Sequence, residues 1–108
     1  MISTDDVERA VDWLRDNAAP AAKARAERIY MESWIKVVLA QEMQRHDGLP
    51  LAAQEREARV AGAYVAALDA LRAAVEADEK ARFLRDAASA KIEAWRTMEA
   101  NKRAERIT

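Results

Sequence analysis

Apolar residues recur along this chain at intervals of three and four, which predicts helices. The stretch that organises the rest runs from Tyr64 to Arg106. It contains no Gly, no Pro and no turn cluster, and Ala, Leu, Glu, Lys and Arg fill most of it. These are the strongest helix formers, so one long C-terminal helix is expected over about 63–106, with the remaining segments laid along it.

Earlier in the chain the pattern divides into shorter elements. Val7, Val11 and Leu14, with Ala10 between them, mark a helix over about 4–17. Ser3 followed by Asp6 approximates a capping box at its start, with Asp in the place of Glu. Pro20 disfavours a helical residue before it, so the first helix is expected to end at Asn17–Ala19. Pro20 then suits the first turn of a second helix over about 21–45. That helix carries an apolar face of Tyr30, Met31, Trp34, Ile35 and Val38, with Val37 and Leu39 at its margins. Tyr30 and Trp34 read as core. Glu32 and Lys36, four apart, read as an exposed ion pair. His46-Asp47-Gly48 reads as a helix exit with a glycine past the end, and Pro50 allows an immediate restart. A short helix over about 51–59 follows, near the surface, with a break at Arg59–Gly62.

Within the long helix, Tyr64, Leu68, Leu71 and Val75 form one stripe. Residues 76–82 then hold no large apolar side chain. The pattern resumes with Phe83, Leu84, Ala87, Ala88, Ile92, Trp95 and Met98. At 100° per residue the second stripe is turned by roughly half a turn from the first. No Gly or Pro favours a break at 77–81, so a straight helix of about 66 Å is expected. Its second stripe would be covered by the first helix, by a second copy of the chain, or by both, and a homodimer is the structural expectation.

Composition sharpens this picture. In 108 residues, Lys and Arg number 18 and Asp and Glu 19, which argues against attachment to nucleic acid or membrane by bulk charge. Half the residues are hydrophobic but aromatics are few, so the core is thin and burial against a partner would help stability. Charge is segregated along the chain: residues 1–19 carry −3, 20–46 carry +2, 47–79 carry −4 and 80–108 carry +4. Oppositely charged segments lying side by side in one bundle or dimer explain this pattern; a basic tail that meets an acidic partner or nucleic acid is the sharper alternative. The acidic N-terminus does not read as a secretory signal, and no apolar run is long enough to span a bilayer, so the expected location is the cytoplasm.

Two stretches are familiar as sequence. One is Glu27-Arg28-Ile29-Tyr30-Met31-Glu32-Ser33-Trp34-Ile35-Lys36, followed by Gly48-Leu49-Pro50 and Ala53-Gln54-Glu55-Arg56-Glu57. The other is Leu84-Arg85-Asp86-Ala87-Ala88, then Lys91-Ile92-Glu93-Ala94-Trp95-Arg96-Thr97. Together they resemble a family of small uncharacterised all-helical proteins of tailed bacteriophages and prophages of proteobacteria. The resemblance covers most of the chain, and Ile92-Glu93-Ala94-Trp95-Arg96 is its most specific part. Such proteins are encoded near recombination and single-strand DNA-handling genes. The resemblance therefore implies a role in phage DNA metabolism or host takeover, inside the bacterial host. It supplies no site residues.

The side-chain chemistry does not point to an enzyme or a cofactor. No cysteine is present, which excludes disulfides and thiolate metal sites. His46 is the only histidine; Glu42 shares its helical face, but a metal needs further ligands. Ser3, Ser33 and Ser89 are isolated on helices or at the start of the chain, where capping or solvent exposure explains them, and two glycines cannot build a phosphate loop. Two surfaces remain. The first is an apolar interaction seam of Phe83, Leu84, Ile92, Trp95 and Met98. The second is a basic stripe of Arg85, Lys91, Arg96, Lys102, Arg103 and Arg106 around Ile92 and Trp95, which could grip phosphates and stack a base. The same cations also read as stems flanking the seam, with Glu99 opposing phosphate and spaced to pair with Arg103.

These readings give an all-α, elongated helical bundle in a single domain, acting without catalysis or cofactor through protein–protein contacts. The expected partners are a second copy of the chain and a phage recombination or single-strand DNA-binding protein, or a host protein. Direct DNA binding and inhibition of a host or defence protein are the alternatives.

Overall fold

The computed structural model describes residues 1–107. It is all-α: helix α1 spans Thr4–Gln44, α2 spans Leu51–Arg59 and α3 spans Gly62–Ile107. No strand occurs among the described residues. The long C-terminal helix runs without interruption through 77–81, as its lack of Gly and Pro implied.

The expected boundary at Pro20 is absent. The segments expected as separate helices over 4–17 and 21–45 are one helix of 41 residues, with Pro20 inside it. Proline has no N–H, so the Asp16 carbonyl loses its partner, and the ring crowds the turn before it. Two features let the helix continue. Ala18, Ala19, Ala21 and Ala22 surround the proline with the best helix former. Asp16, Ala18, Ala19 and Pro20 are all exposed, so water can reach the orphan carbonyl.

The N-terminus of α1 is capped as its sequence suggested. The Asp6 N–H donates to Ser3 Oγ at 3.1 Å, and the Ser3 N–H donates to Asp6 Oδ2 at 2.9 Å. Each group satisfies one backbone donor that the first turn leaves unpaired. The Ser3 hydrogen bonds, backbone first, hold the Asp6 carboxyl below its ordinary range, and Arg9 at 2.6 Å adds to the effect.

The exit from α1 works differently from the expectation. No glycine has a positive φ, so Gly48 supplies no left-handed cap. The end instead tightens into three-residue turns: Arg45 N–H to the Glu42 carbonyl, His46 N–H to Met43 and Leu49 N–H to His46. The Gln54 side-chain amide then donates to the Leu49 carbonyl at 2.8 Å and holds the loop to α2. At the next junction Arg59 pairs with Glu55 at 2.6 Å and donates to Tyr64 Oη at 3.3 Å.

The chain divides into two compact units, one of residues 1–22 with those from Lys80 onward, the other of Lys23–Glu79. In the second unit the less exposed positions of α1 include Ala24, Arg28, Met31, Ile35, Val38 and Glu42. On α3 they include Tyr64, Ala67, Leu71, Ala74 and Asp78. Both sets alternate steps of three and four, which is the seven-residue repeat of paired, supercoiled helices. Arg28 lies near the start of the α1 segment and binds Asp78 and Glu79 at the end of the α3 segment, so the pair is antiparallel. In the first unit the same spacing recurs at Val7, Ala10, Leu14, Asn17 and Ala21, and at Ala81, Ala88, Ile92, Trp95, Glu99 and Lys102.

This repeat corrects the two-stripe reading of the long helix. The buried line does not jump between Val75 and Phe83; it continues at sevens through Ala67, Ala74, Ala81 and Ala88. Leu68 and Phe83 lie off it and are exposed. A projection at 3.6 residues per turn drifts by about 20° per heptad from the true seam. Alanines rather than large side chains occupy its line of sevens from Ala67 to Ala88. The buried apolar residues are Ala10, Met31, Val38, Ala58, Ala67 and Ala74, mostly alanine. No large side chain is fully buried among the described residues, so apolar burial per residue is small.

Candidate functional site

The residues expected to form one apolar seam separate into two groups. Ile92, Trp95 and Met98 are half-buried in the first unit, whose other helical segment is the start of α1. Ile92 and Trp95 occupy the seven-residue seam itself, so their cover is intramolecular. Phe83 and Leu84 face solvent, Phe83 at 64% of its full exposure. Arg82 sits 5.5 Å from the Phe83 ring centroid, a surface cation–π contact.

The basic residues do not make a free stripe either. Arg96 is tied to Glu93 at 3.0 Å, Lys102 to Glu99 at 3.4 Å and Arg85 to Asp86 at 3.7 Å. Glu99 therefore pairs with Lys102 three residues on, not with Arg103. Relative to the seam, Arg96 and Arg103 follow half-buried positions while Lys91 precedes one, so they lie on opposite edges. Lys91, Arg103 and Arg106 are exposed and have no ion pair among the described residues. Half the positive charge is thus neutralised within its own helix, and Trp95 is half-covered rather than offered to a base.

Three features escaped the sequence reading. Arg28 is the first. Its Nε donates to Glu32 Oε1 at 3.0 Å, and its Nη1 donates to Asp78 Oδ2 at 3.2 Å and Glu79 Oε1 at 3.1 Å. The bond to Glu32, then those to Glu79 and Asp78, raise its pKa further above the ordinary arginine value. Glu32 was expected to pair with Lys36; Arg28 takes it because one guanidinium reaches three carboxylates from inside the seam. A charge network at a seam position fixes the register of a helix pair more than it stabilises it. Glu42 is the second: a buried charged side chain at a seam position, with Arg45 at 3.6 Å. No grouping of three or more metal-ligating side chains accompanies it among the described residues.

The third is an exposed apolar face in the second unit. Tyr30 and Trp34, expected in the core, and Val37, expected at its margin, stand at 59%, 37% and 44% exposure. The two rings are stacked, 6.4 Å between centroids and 8° between planes. The sequence signal that could have found this is the competing seam: Ala24, Arg28, Met31, Ile35 and Val38 keep the seven-residue spacing, and Tyr30 and Trp34 break it.

No protein-family model, curated protein or solved structure matches the chain. No helix among the described residues is long and apolar enough to cross a membrane.

Proposed function

We propose that this protein is a non-enzymatic interaction module, built of paired helices, that works by presenting apolar faces to other proteins. The observation that carries the reading is a mismatch of burial. Among the described residues six apolar ones form the core, four of them alanine, while fourteen large hydrophobic residues remain exposed. A chain that works alone gains nothing from keeping Tyr30, Trp34, Leu68, Phe83 and Leu84 in water. Following the phage resemblance, the setting is a recombination or replication module in the cytoplasm of a bacterial host. The partner there is a single-strand DNA-handling protein or a host protein.

The test is sedimentation velocity with a purified single-strand DNA-binding protein, with and without an oligonucleotide. Co-sedimentation in both conditions supports the reading. A second reading, direct DNA binding, draws on Lys91, Arg103 and Arg106, which pair with no carboxylate among the described residues. It requires salt-dependent oligonucleotide binding by the chain alone, lost on Arg96→Glu with Arg103→Glu. Failure of both assays leaves inhibition of a host or defence protein as the remaining reading, tested by co-purification with one host protein.

A further inference from the structure

The seam of the second unit has two edges. One is marked by residues that follow a seam position: Glu32 follows Met31 and Glu79 follows Asp78, and both meet Arg28. In an antiparallel pair the opposite edge is formed by the residues that precede a seam position on each helix. On α3 these are Ala63, Ala66, Ala70, Ala73 and Ala77, every one an alanine and every one exposed. On α1 they are Glu27, Tyr30, Trp34, Val37 and Gln41, all exposed. From Tyr30 to Gln41 on one helix, and from Ala63 to Ala77 on the other, this edge carries no charge.

The two halves differ in height. Stacked Tyr30 and Trp34, continued by Val37, stand as a ridge, and the five alanines beside them make a shallow trough. A two-fold axis along the helix pair of the second unit places the ridge of one copy over the trough of the other, twice. This is the self-complementarity that an isologous dimer requires. We propose that this face is the self-association surface of the chain, with Tyr30, Trp34 and Val37 of each copy seated on the alanine row Ala63–Ala77 of the other.

Area and shape favour a second copy as the occupant. The partly exposed ridge and the five exposed alanines together present on the order of 500 Å² of apolar surface. A stable interface takes about 800 Å² from each partner, roughly 60% of it apolar, so this face is the right size for an interface core with a polar rim. Glu27 and Gln41 end the ridge and supply part of that rim. A single foreign helix laid in the trough would cover the alanines and leave the stacked rings in water, whereas a second copy covers both. The proposal does not rest on the function proposed above, because a chain that binds no other protein can still pair this way. It also differs from pairing through Ile92 and Trp95, which the first unit already half-covers.

The test is sedimentation equilibrium of the full chain beside Ala70→Glu, Trp34→Ala and Phe83→Ser. Ala70 is exposed, so the glutamate leaves the helix pair intact, and circular dichroism at 222 nm verifies this. The expected result is a dimer weakened at least about thirtyfold by Ala70→Glu, since the two-fold buries that charge twice, and weakened also by Trp34→Ala. Phe83→Ser leaves it unchanged. A wild type that stays monomeric to millimolar concentration overturns the proposal, as does a dimer indifferent to Ala70→Glu. Because the chain has no cysteine, a second measurement is available. Trp34→Cys mixed with Ala70→Cys should form a disulfide between copies faster than either variant alone. Equal or faster bridging by Trp34→Cys alone means ridge on ridge and overturns the arrangement.

Discussion

Replacing Pro20 by alanine separates the two readings of α1 by the sign of the effect. If a helix ended at Asn17–Ala19 and another began at Pro20, the proline would sit at a first-turn position where its missing N–H costs nothing. Pro20→Ala would then be neutral, or would destabilise by about 0.4–1 kcal/mol, because the unfolded chain gains freedom. In the observed helix Pro20 is sixteen residues past Thr4 and twenty-four before Gln44. There a proline is less favourable than alanine by about 3 kcal/mol. Water at the exposed Asp16 carbonyl recovers part of that, so the expected gain is about 2 kcal/mol. For a chain of this size a gain of that order raises Tm by roughly 8–16 °C. Urea and thermal unfolding followed at 222 nm measure it, and an unchanged m-value shows that the same surface is exposed in both proteins. Unfolding is compared at one fixed protein concentration, since self-association adds to apparent stability. A neutral or destabilising Pro20→Ala would refute the continuous helix.

Three further outcomes follow from the seam and the cap. Met31→Ala, at a buried seam position, should cost about 2 kcal/mol, the low end for such truncations because two helices collapse readily on the gap; Phe83→Ala, expected in a seam from sequence, should stay within about 0.5 kcal/mol in the same denaturation assay. Ala74→Leu should overpack the seam and cost about 1–3 kcal/mol, while Ala90→Leu on the exposed side of α3 should change little; equal effects in calorimetry would mean the alanines do not form the contact line. Asp6 has a depressed carboxyl pKa in the folded chain, so its contribution is complete above the unfolded value near pH 4 and is lost as pH falls through the folded value. The stability gap between wild type and Asp6→Asn should therefore be constant at neutral pH and close in that acid window, read from urea titrations at each pH.

Most element positions were legible because they depend on local chemistry. Ser3 and Asp6 announce the start of α1, Pro50 the start of α2, and the absence of Gly and Pro the length of α3. Pro20 was misread because a local rule met a segment of alanines whose propensity outweighs it, at a site where solvent can satisfy the orphan carbonyl. The faces were harder. Hydrophobic size ranks Tyr30, Trp34, Leu68 and Phe83 above Ala67, Ala74, Ala81 and Ala88, and a search for large apolar residues follows the wrong line on both long helices. Burial in a helix pair is decided by register, and register here is written in small residues at sevens and in Arg28 reaching across to Asp78 and Glu79.

That arrangement bears on function as well as on fold. Alanine at a seam lets two helices approach closely but buries little area, so each helix pair gains modest stability for its length. The large apolar side chains that could have stabilised it are instead held at its edges and outer faces, where they do nothing for the isolated chain. Trp34→Gln alone would remove hydrophobic volume from the edge without touching the seam and make a chain better suited to stand alone. The natural sequence does the reverse in the second unit, with five alanines bordering one side of the seam and an aromatic pair beside them. A core kept thin while large side chains face outward is what the proposed self-association would complete, and a dependence of unfolding on protein concentration is the measurement that would register it.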